Sequence, residues 1–259
     1  MTDTGSYPII YSGYYDDESR PVHGVVPVEE MITLYVNGQP LVNLMCTPVL
    51  LEELALGFLY NEGLVEKMDD VAVLELCGGE RCVDVWLEHD IETPQLRIVT
   101  SGCSGGTTFE DAASVHHRVE SGARITPQQA TRLAEDLTDV AALYNRSGGI
   151  HTTALSDGER LLFAAEDIGR HNTLDKIAGI CLRQGQPMRD HILLTSGRIS
   201  SEMVHKAARM EIPIVISRTS PTSLSAQLAQ EWNITLIGYT RRRSFRLYAG
   251  KERVVAGAS

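Results

Sequence analysis

Ser101-Gly102-Cys103-Ser104-Gly105-Gly106 sets a single thiol in a run with three glycines in six residues. A loop of that composition cannot wrap a cysteine in side chains, so it uncovers the sulfur and leaves the backbone free to move. Two chemistries suit such a thiol. As a thiolate, Cys103 could attack a carbon or phosphorus electrophile, which calls for an adjacent base. It could instead carry a second sulfur as a persulfide, which needs exposure, mobility and a thiol acidified by nearby backbone N–H groups. An inert surface cysteine would have the same local sequence.

Three polar clusters form the second constellation. They are Glu166-Asp167-Ile168-Gly169-Arg170-His171-Asn172, Thr195-Ser196-Gly197-Arg198-Ile199-Ser200-Ser201-Glu202 and Ser217-Arg218-Thr219-Ser220-Pro221. Each closes an apolar strand pattern, contains an arginine and opens a helical one. A helix N-terminus presents unpaired N–H groups and a positive dipole end, and arginine binds phosphate bidentately. Arg241, Arg242, Arg243 and Arg246 add a basic cluster after the last strand. Together these predict a nucleotide-like anionic ligand, although no cluster is a P-loop or a G-x-G-x-x-G turn. The plainer reading is that the hydroxyls cap helices and the arginines pair with surface acids. His171 could act as a base, orient Asp167 or Asp175, or simply cap a helix. His151 reads as a strand histidine, His205 as a helix-face residue, and His116-His117 as a pair unable to share one helical face.

The elements that must position these groups divide near residue 123. Residues 1–27 read as a loose leader, 28–123 as an α+β subdomain carrying the Cys103 loop, and 124–259 as an α/β domain. Met31–Val36 and Leu41–Cys46 flank Asn37-Gly38, a type I′ hairpin signal, and a helix follows with Thr47 as its cap. Val71–Leu76 and Cys82–Leu87 read as strands joined at Gly78-Gly79. Thr126-Pro127-Gln128-Gln129 is a capping box whose helix is expected to run to Gly148. Beyond it, strands alternate with helices, which predicts a mainly parallel sheet covered by helices. Ligands of such sheets sit beyond the carboxyl ends of the strands, where the three clusters fall.

Composition narrows the class. A net charge of −11 over 259 residues argues against general nucleic-acid binding. No apolar run approaches the roughly 20 residues of a membrane span, and the start of the chain lacks a basic-then-apolar leader pattern, so the cytoplasm is expected. Five cysteines, an odd number, do not suggest a disulfide framework. Cys46 and Cys181 read as buried hydrophobes, and the C-x4-C pair Cys77 and Cys82 is weak evidence for a metal; no metal site is expected.

The strings Glu166 to Lys176, Thr195 to Met203 and Glu53-Leu54-Ala55-Leu56-Gly57-Phe58-Leu59 resemble the FdhD family of formate dehydrogenase accessory sulfurtransferases, over roughly residues 28–248. The resemblance implies a cytidine deaminase-like C-terminal domain and a homodimer. It implies that a cysteine desulfurase loads sulfur onto the loop cysteine, here Cys103. Sulfur then passes to the molybdenum or tungsten of a bis(molybdopterin guanine dinucleotide) cofactor bound for formate dehydrogenase, with a GDP-like nucleotide as its mimic. The family's cofactor-binding stretch falls on Tyr239-Thr240-Arg241-Arg242-Arg243-Ser244. With the clusters, the expected ligand set adds Arg170, His171, Asn172, Ser196, Gly197, Arg198 and Arg218. Many members carry C-x-x-C in the loop; here the second position is Gly106, so a second thiol would have to come from elsewhere, Cys77 or Cys82 being candidates. The alternative is a cofactor chaperone without obligatory sulfur chemistry. The zinc motifs of deaminases, H-x-E and P-C-x-x-C, are absent.

Overall fold

The computed structural model describes residues 5–78, 81–89, 97–99 and 118–256. The Cys103 loop and the His116-His117 pair lie outside the described residues. Residues 6–27, expected as a loose leader, instead form a regular antiparallel hairpin of β1 (Ser6–Tyr15) and β2 (Glu18–Pro27), turning at Asp16 with φ 54°. Sequence pattern missed it because both faces are exposed, so no apolar alternation marks it: Tyr7, Ile10, Tyr11 and Tyr14 all face solvent.

The Asn37-Gly38 turn forms as expected, with both residues at positive φ, between β3 (Glu30–Val36) and β4 (Gln39–Cys46). Helix α1 (Leu51–Asn61) follows, then β5 (Val71–Leu76), β6 (Cys82–Leu87) and β7 (Arg97–Val99). The sheet order is β5-β6-β3-β4-β7. Alternate residues Ile32, Leu34, Val83, Val85 and Leu44 bury one face against Leu54, Phe58 and Leu59 of α1. Thr47 does not cap that helix; the N-cap is Leu50, without a side-chain bond, and Thr47 is committed elsewhere.

The C-terminal part opens with α2 (Pro127–Asp139), where Thr126 and Gln129 make the reciprocal capping box. The helix stops at Val140 rather than running to Gly148, and a short α3 (Ala142–Ser147) turns away. Then come β8 (His151–Ser156), β9 (Leu161–Asp167), α4 (Arg170–Gln184), β10 (Ile192–Thr195), α5 (Ser201–Arg209), β11 (Ile214–Ser217), α6 (Ser223–Glu231), β12 (Thr235–Arg241) and β13 (Ser244–Ala249). Thr222 caps α6 through a bond from the Ser225 N–H. The order is β13-β12-β11-β10-β8-β9. Strands β9 to β12 share one direction, except that β8 and the edge strand β13 run against it, so the sheet is mixed. Leu193, Val215 and Leu236 face the cluster that includes Leu174 and Ile177 of α4 and Val204 of α5. Ile192, Leu194, Ile214, Ile216 and Ile237 face Leu133 and Leu137 of α2. Two core faces on one sheet make a three-layer domain.

The two parts lock through α1 and α4. Glycines let the helix backbones meet: a Cβ on Gly57 would overlap the Asp175 carbonyl, and one on Gly179 would overlap that of Glu53. Neither obstacle is a flexible side chain, so relief requires the helices to separate. Gly57→Ala and Gly179→Ala are each expected to cost about 3 kcal/mol, the upper part of the usual overpacking range. Urea unfolding checks this, and a loss below about 1 kcal/mol would show that the crossing relaxes.

Candidate functional site

The sheet topology gathers the three polar clusters. β9, β10 and β11 end at Asp167, Thr195 and Ser217 on the same sheet edge, each followed by the start of a helix. β12 ends there at Arg241 and turns back into β13 at Ser244. Because β8 is antiparallel to its neighbours, its first residue, His151, arrives at the same edge opposite Asp167.

A cleft of two joined compartments opens at this edge. The first, of about 460 Å³, has apolar walls from Leu137, Ala141, Tyr144 and Ile150, with Arg218 and Arg241 at its polar side. The second, of about 510 Å³, is lined by Arg170, Arg198, Ile168, Pro27 and Glu29. Gly149, His151, Ser196 and Thr219 line both and so form the junction. Gly149 sits at φ 65°, a conformation a side chain would strain. Gly197 leaves the junction open, since a Cβ there would press on Arg170 Cβ at 3.0 Å and His151 Nδ1 at 3.4 Å. The Arg170 Nε is buried without a hydrogen-bond partner among the described residues, as is Thr240 Oγ1. A chain of net charge −11 thus turns four arginines toward one cleft. An apolar compartment beside a cationic one suits a planar base joined to phosphates.

Some expected ligand residues are held in place by partners. Arg218 Nη1 donates to Thr138 Oγ1 at 2.7 Å, and Arg241 Nη1 donates to the Arg218 carbonyl at 2.6 Å. Ser196 Oγ accepts from the Thr152 N–H at 3.0 Å. Tyr239, at φ 50°, lies under the Arg246 guanidinium, and the exposed Arg242 pairs with Glu135 at 3.3 Å. Tyr239 and Thr240 at the end of β12, Arg242 and Arg243 in the turn, and Ser244 at the start of β13 flank the cleft without lining it; Arg241 is the member that does.

His171 and Asn172 are not brought to the cleft. Asn172 Nδ2 donates to the Met45 carbonyl at 2.8 Å and to Asp167 Oδ1 at 2.9 Å, bridging the two sheets. Asp167, fully buried, also accepts from Thr47 N–H, Gly169 N–H and Lys176 Nζ, the last at 2.6 Å. His171 Nε2 lies 3.0 Å from Ser200 Oγ and 3.4 Å from Glu202 Oε2. Burial, then Lys206 and Arg170, push its pKa down to about 2, so the ring is neutral. Burial raises Glu202, against the pull of Lys206. Burial alone would lower Lys206, yet Asp175 and Glu202 outweigh it and hold the ammonium charged. His171 is thus part of a buried network that ties the start of α4 to the start of α5, the helices that follow the first and second clusters.

The residues sequence reasoning missed are His151, Gly149 and the apolar wall from α2 and α3; Thr219, which lines both compartments, belongs to the third cluster. The signal for His151 was strand direction: a histidine opening an antiparallel strand lands where its neighbours end.

Residues 27–255 match the FdhD/NarQ family model. The chain belongs to the FdhD/NarQ family. It is 37% identical over 248 residues to the sulfur carrier protein FdhD of Bacillus subtilis, covering 93% of this chain and 94% of that one. A second relative of that name, from Staphylococcus haemolyticus, is 35% identical over 231 residues, 87% of this chain and 88% of that one. The fold is similar to a crystal structure of a candidate formate dehydrogenase accessory protein from Desulfotalea psychrophila, with a TM-score of 0.84 and 25% identity. That match covers 97% of this chain and all of the other.

Within this family frame the cysteines separate by environment. Cys46 and Cys181 are buried, and burial pushes both thiols up to about 12, with Asp167 adding to the effect at Cys46. Neither is a thiolate near pH 7. Cys77 and Cys82 are joined as a disulfide across the β5–β6 turn, contrary to the expectation of free thiols. The spacing hid this because a C-x4-C pair around glycines serves a hairpin, a metal and a disulfide alike. Among the described residues, no group of three or more His, Cys, Asp or Glu side chains is placed to hold a metal, and no helix is long and apolar enough to cross a membrane.

The buried neutral His171 sets a pH dependence. Its folded pKa lies below its unfolded value, so the unfolded chain binds the extra proton and stability falls as pH drops below about 6.5. By pH 5 the loss owed to this ring is about 2 kcal/mol. Urea titrations at pH 7 and pH 5 are expected to show that much less acid sensitivity in His171→Gln; equal sensitivity in both proteins would place the charge uptake elsewhere.

Proposed function

We propose that this protein is a sulfur carrier that serves formate dehydrogenase, with Cys103 as the persulfide residue and the arginine cleft as the seat of the sulfur acceptor. The observation that carries the reading is the two-compartment cleft in a member of the FdhD/NarQ family. A molybdopterin guanine dinucleotide has the parts such a cleft accommodates: a purine for the wall of Leu137, Ala141 and Tyr144, and phosphates for Arg170 and Arg198. GDP is then the simple mimic. The orphan Arg170 Nε and the open space at Gly197 support an anion there.

Loading is a balanced exchange. The Cys103 thiolate attacks the outer sulfur of a cysteine desulfurase persulfide, and the desulfurase thiolate leaves. No net oxidation occurs, and the protein holds Cys103–S–SH. Transfer of the outer sulfur to the metal of the bound cofactor would release Cys103 as thiolate, with the two electrons that reduce the sulfur to sulfide supplied by the metal or by an added thiol, and would make the protein a sulfurtransferase. Cys46 and Cys181 are unsuited by burial and Cys77 and Cys82 by their mutual bond, which favours Cys103 as carrier. We further read the C-terminal sheet, with its β9-β8-β10-β11-β12 order and antiparallel β8, as the cytidine deaminase-like arrangement, and the working form as a cytoplasmic homodimer.

Incubation with a cysteine desulfurase and cysteine is expected to add one sulfur mass to the wild type and none to Cys103→Ser, which also fails to activate formate dehydrogenase. Intact-mass analysis reads the first and enzyme assay the second. Full activation by Cys103→Ser would replace this reading with a cofactor chaperone. Arg170→Ala and Arg198→Ala are each expected to weaken GDP binding by about 1.5–3 kcal/mol, roughly 10- to 150-fold.

A further inference from the structure

His151 stands where the apolar and cationic compartments meet, and nothing so far gives it a task. It is the first residue of β8, lines both halves of the cleft, and flanks Gly197 together with Arg170. Its Nδ1 lies 3.5 Å from Ser196 Oγ. That hydroxyl already accepts from the Thr152 N–H, so its own proton is available to Nδ1. Donation of that proton to Nδ1 is the tautomer that leaves the ring proton on Nε2, and with it a donor.

We propose that His151 donates to a phosphate oxygen of the anion bound between Arg170 and Arg198, and that the imidazole takes up a proton as that anion binds. The proposal rests on the cleft's holding a phosphate-bearing ligand and adds the residue that couples its binding to pH.

The charges around the ring support the coupling. Burial lowers the His151 pKa, and Arg170 at the start of α4 and Arg198 after β10 lower it further, while Asp167 at the end of β9 opposes them. His171, behind the cleft, is neutral. Glu29 faces the cationic compartment from the β2–β3 connection, and Arg218 and Arg241 edge the other compartment from β11 and β12. The empty cleft is thus dominated by positive charge and keeps the imidazole neutral. A phosphate between the arginines reverses the local sign and favours the imidazolium. Binding then draws a proton from solvent, and by linkage affinity rises as pH falls. The limit is tenfold per pH unit for one full proton.

Calorimetry with the full chain tests this, using GDP and inorganic pyrophosphate as probes in two pH 7 buffers of different ionisation enthalpy. Wild type is expected to take up a fraction of a proton with either probe. His151→Gln can still donate a hydrogen bond but cannot titrate; it is expected to lose that uptake and bind several-fold more weakly. His171→Gln is expected to retain the uptake. The ligand's own titration is common to all three proteins and cancels in the comparison. If GDP fails to bind while pyrophosphate binds with uptake that depends on His151, the nucleotide reading falls and this inference stands. Equal uptake in wild type and His151→Gln overturns the inference while leaving the nucleotide reading intact; binding of neither probe overturns both. A second readout guards against misfolding of the variant: the wild-type His151 C2–H resonance should titrate at higher pH with pyrophosphate present, and an unmoved titration contradicts the proposal.

Discussion

The buried ion pair of Asp167 and Lys176 holds the molecule's two parts in one register. Neither side chain reaches water. Two charges in such a place are tolerable only when every remaining lone pair and proton is used. Here they are: Asp167 also accepts from Thr47, Gly169 and Asn172, and Lys176 also donates to the carbonyls of Thr47 and Glu166. Thr47 directly follows β4 of the N-terminal sheet and Asp167 ends β9, so the clamp joins the end of that strand to the strand end that opens the cleft. Removing either partner would strand a buried charge, a loss typically of about 3–5 kcal/mol.

That clamp explains why the most conspicuous polar cluster divides its labour. Of the run from Glu166 to Asn172, Asp167 and Asn172 tie the sheets together, His171 fills a buried network with Ser200 and Glu202, and Arg170 faces the cleft. A single short segment thereby fixes the scaffold on one side and presents a cation on the other. The glycine contact of α1 with α4 serves the same end, since α4 begins at Arg170 and its direction sets where that guanidinium lies. Preorganised arginines would lose little further freedom on meeting an anion, which would let a strongly negative protein bind one there.

Much of this was legible in the sequence where one local rule decides the outcome. The Asn37-Gly38 hairpin, the Thr126 capping box and the strand-helix alternation after residue 150 each follow from turn chemistry or hydrophobic period, and the edge location of the three clusters follows from topology. The cleft's second half was not legible, because its apolar wall depends on α2 ending at Val140 and α3 turning away. His171 and His151 changed places relative to the cleft for a similar reason. A histidine beside arginines in a signature string reads as a ligand residue, yet tertiary packing buries it; one in a strand reads as structural, yet strand direction delivers it to the cleft. The hairpin of residues 6–27 escaped notice because it has no buried face to pattern. The Cys77–Cys82 bond depends on a β5–β6 register that spacing alone leaves open.

A thiol that would carry sulfur and a cleft that would seat its acceptor are the two halves of the proposed function. Their joint action is tested most directly by loading the protein with radioactive persulfide sulfur, adding the molybdopterin guanine dinucleotide cofactor, and following the label with and without saturating GDP. The account predicts that label passes to the cofactor and that GDP blocks the passage by occupying the cleft. Undiminished transfer under saturating GDP would show that the cleft does not seat the acceptor and would contradict the central claim.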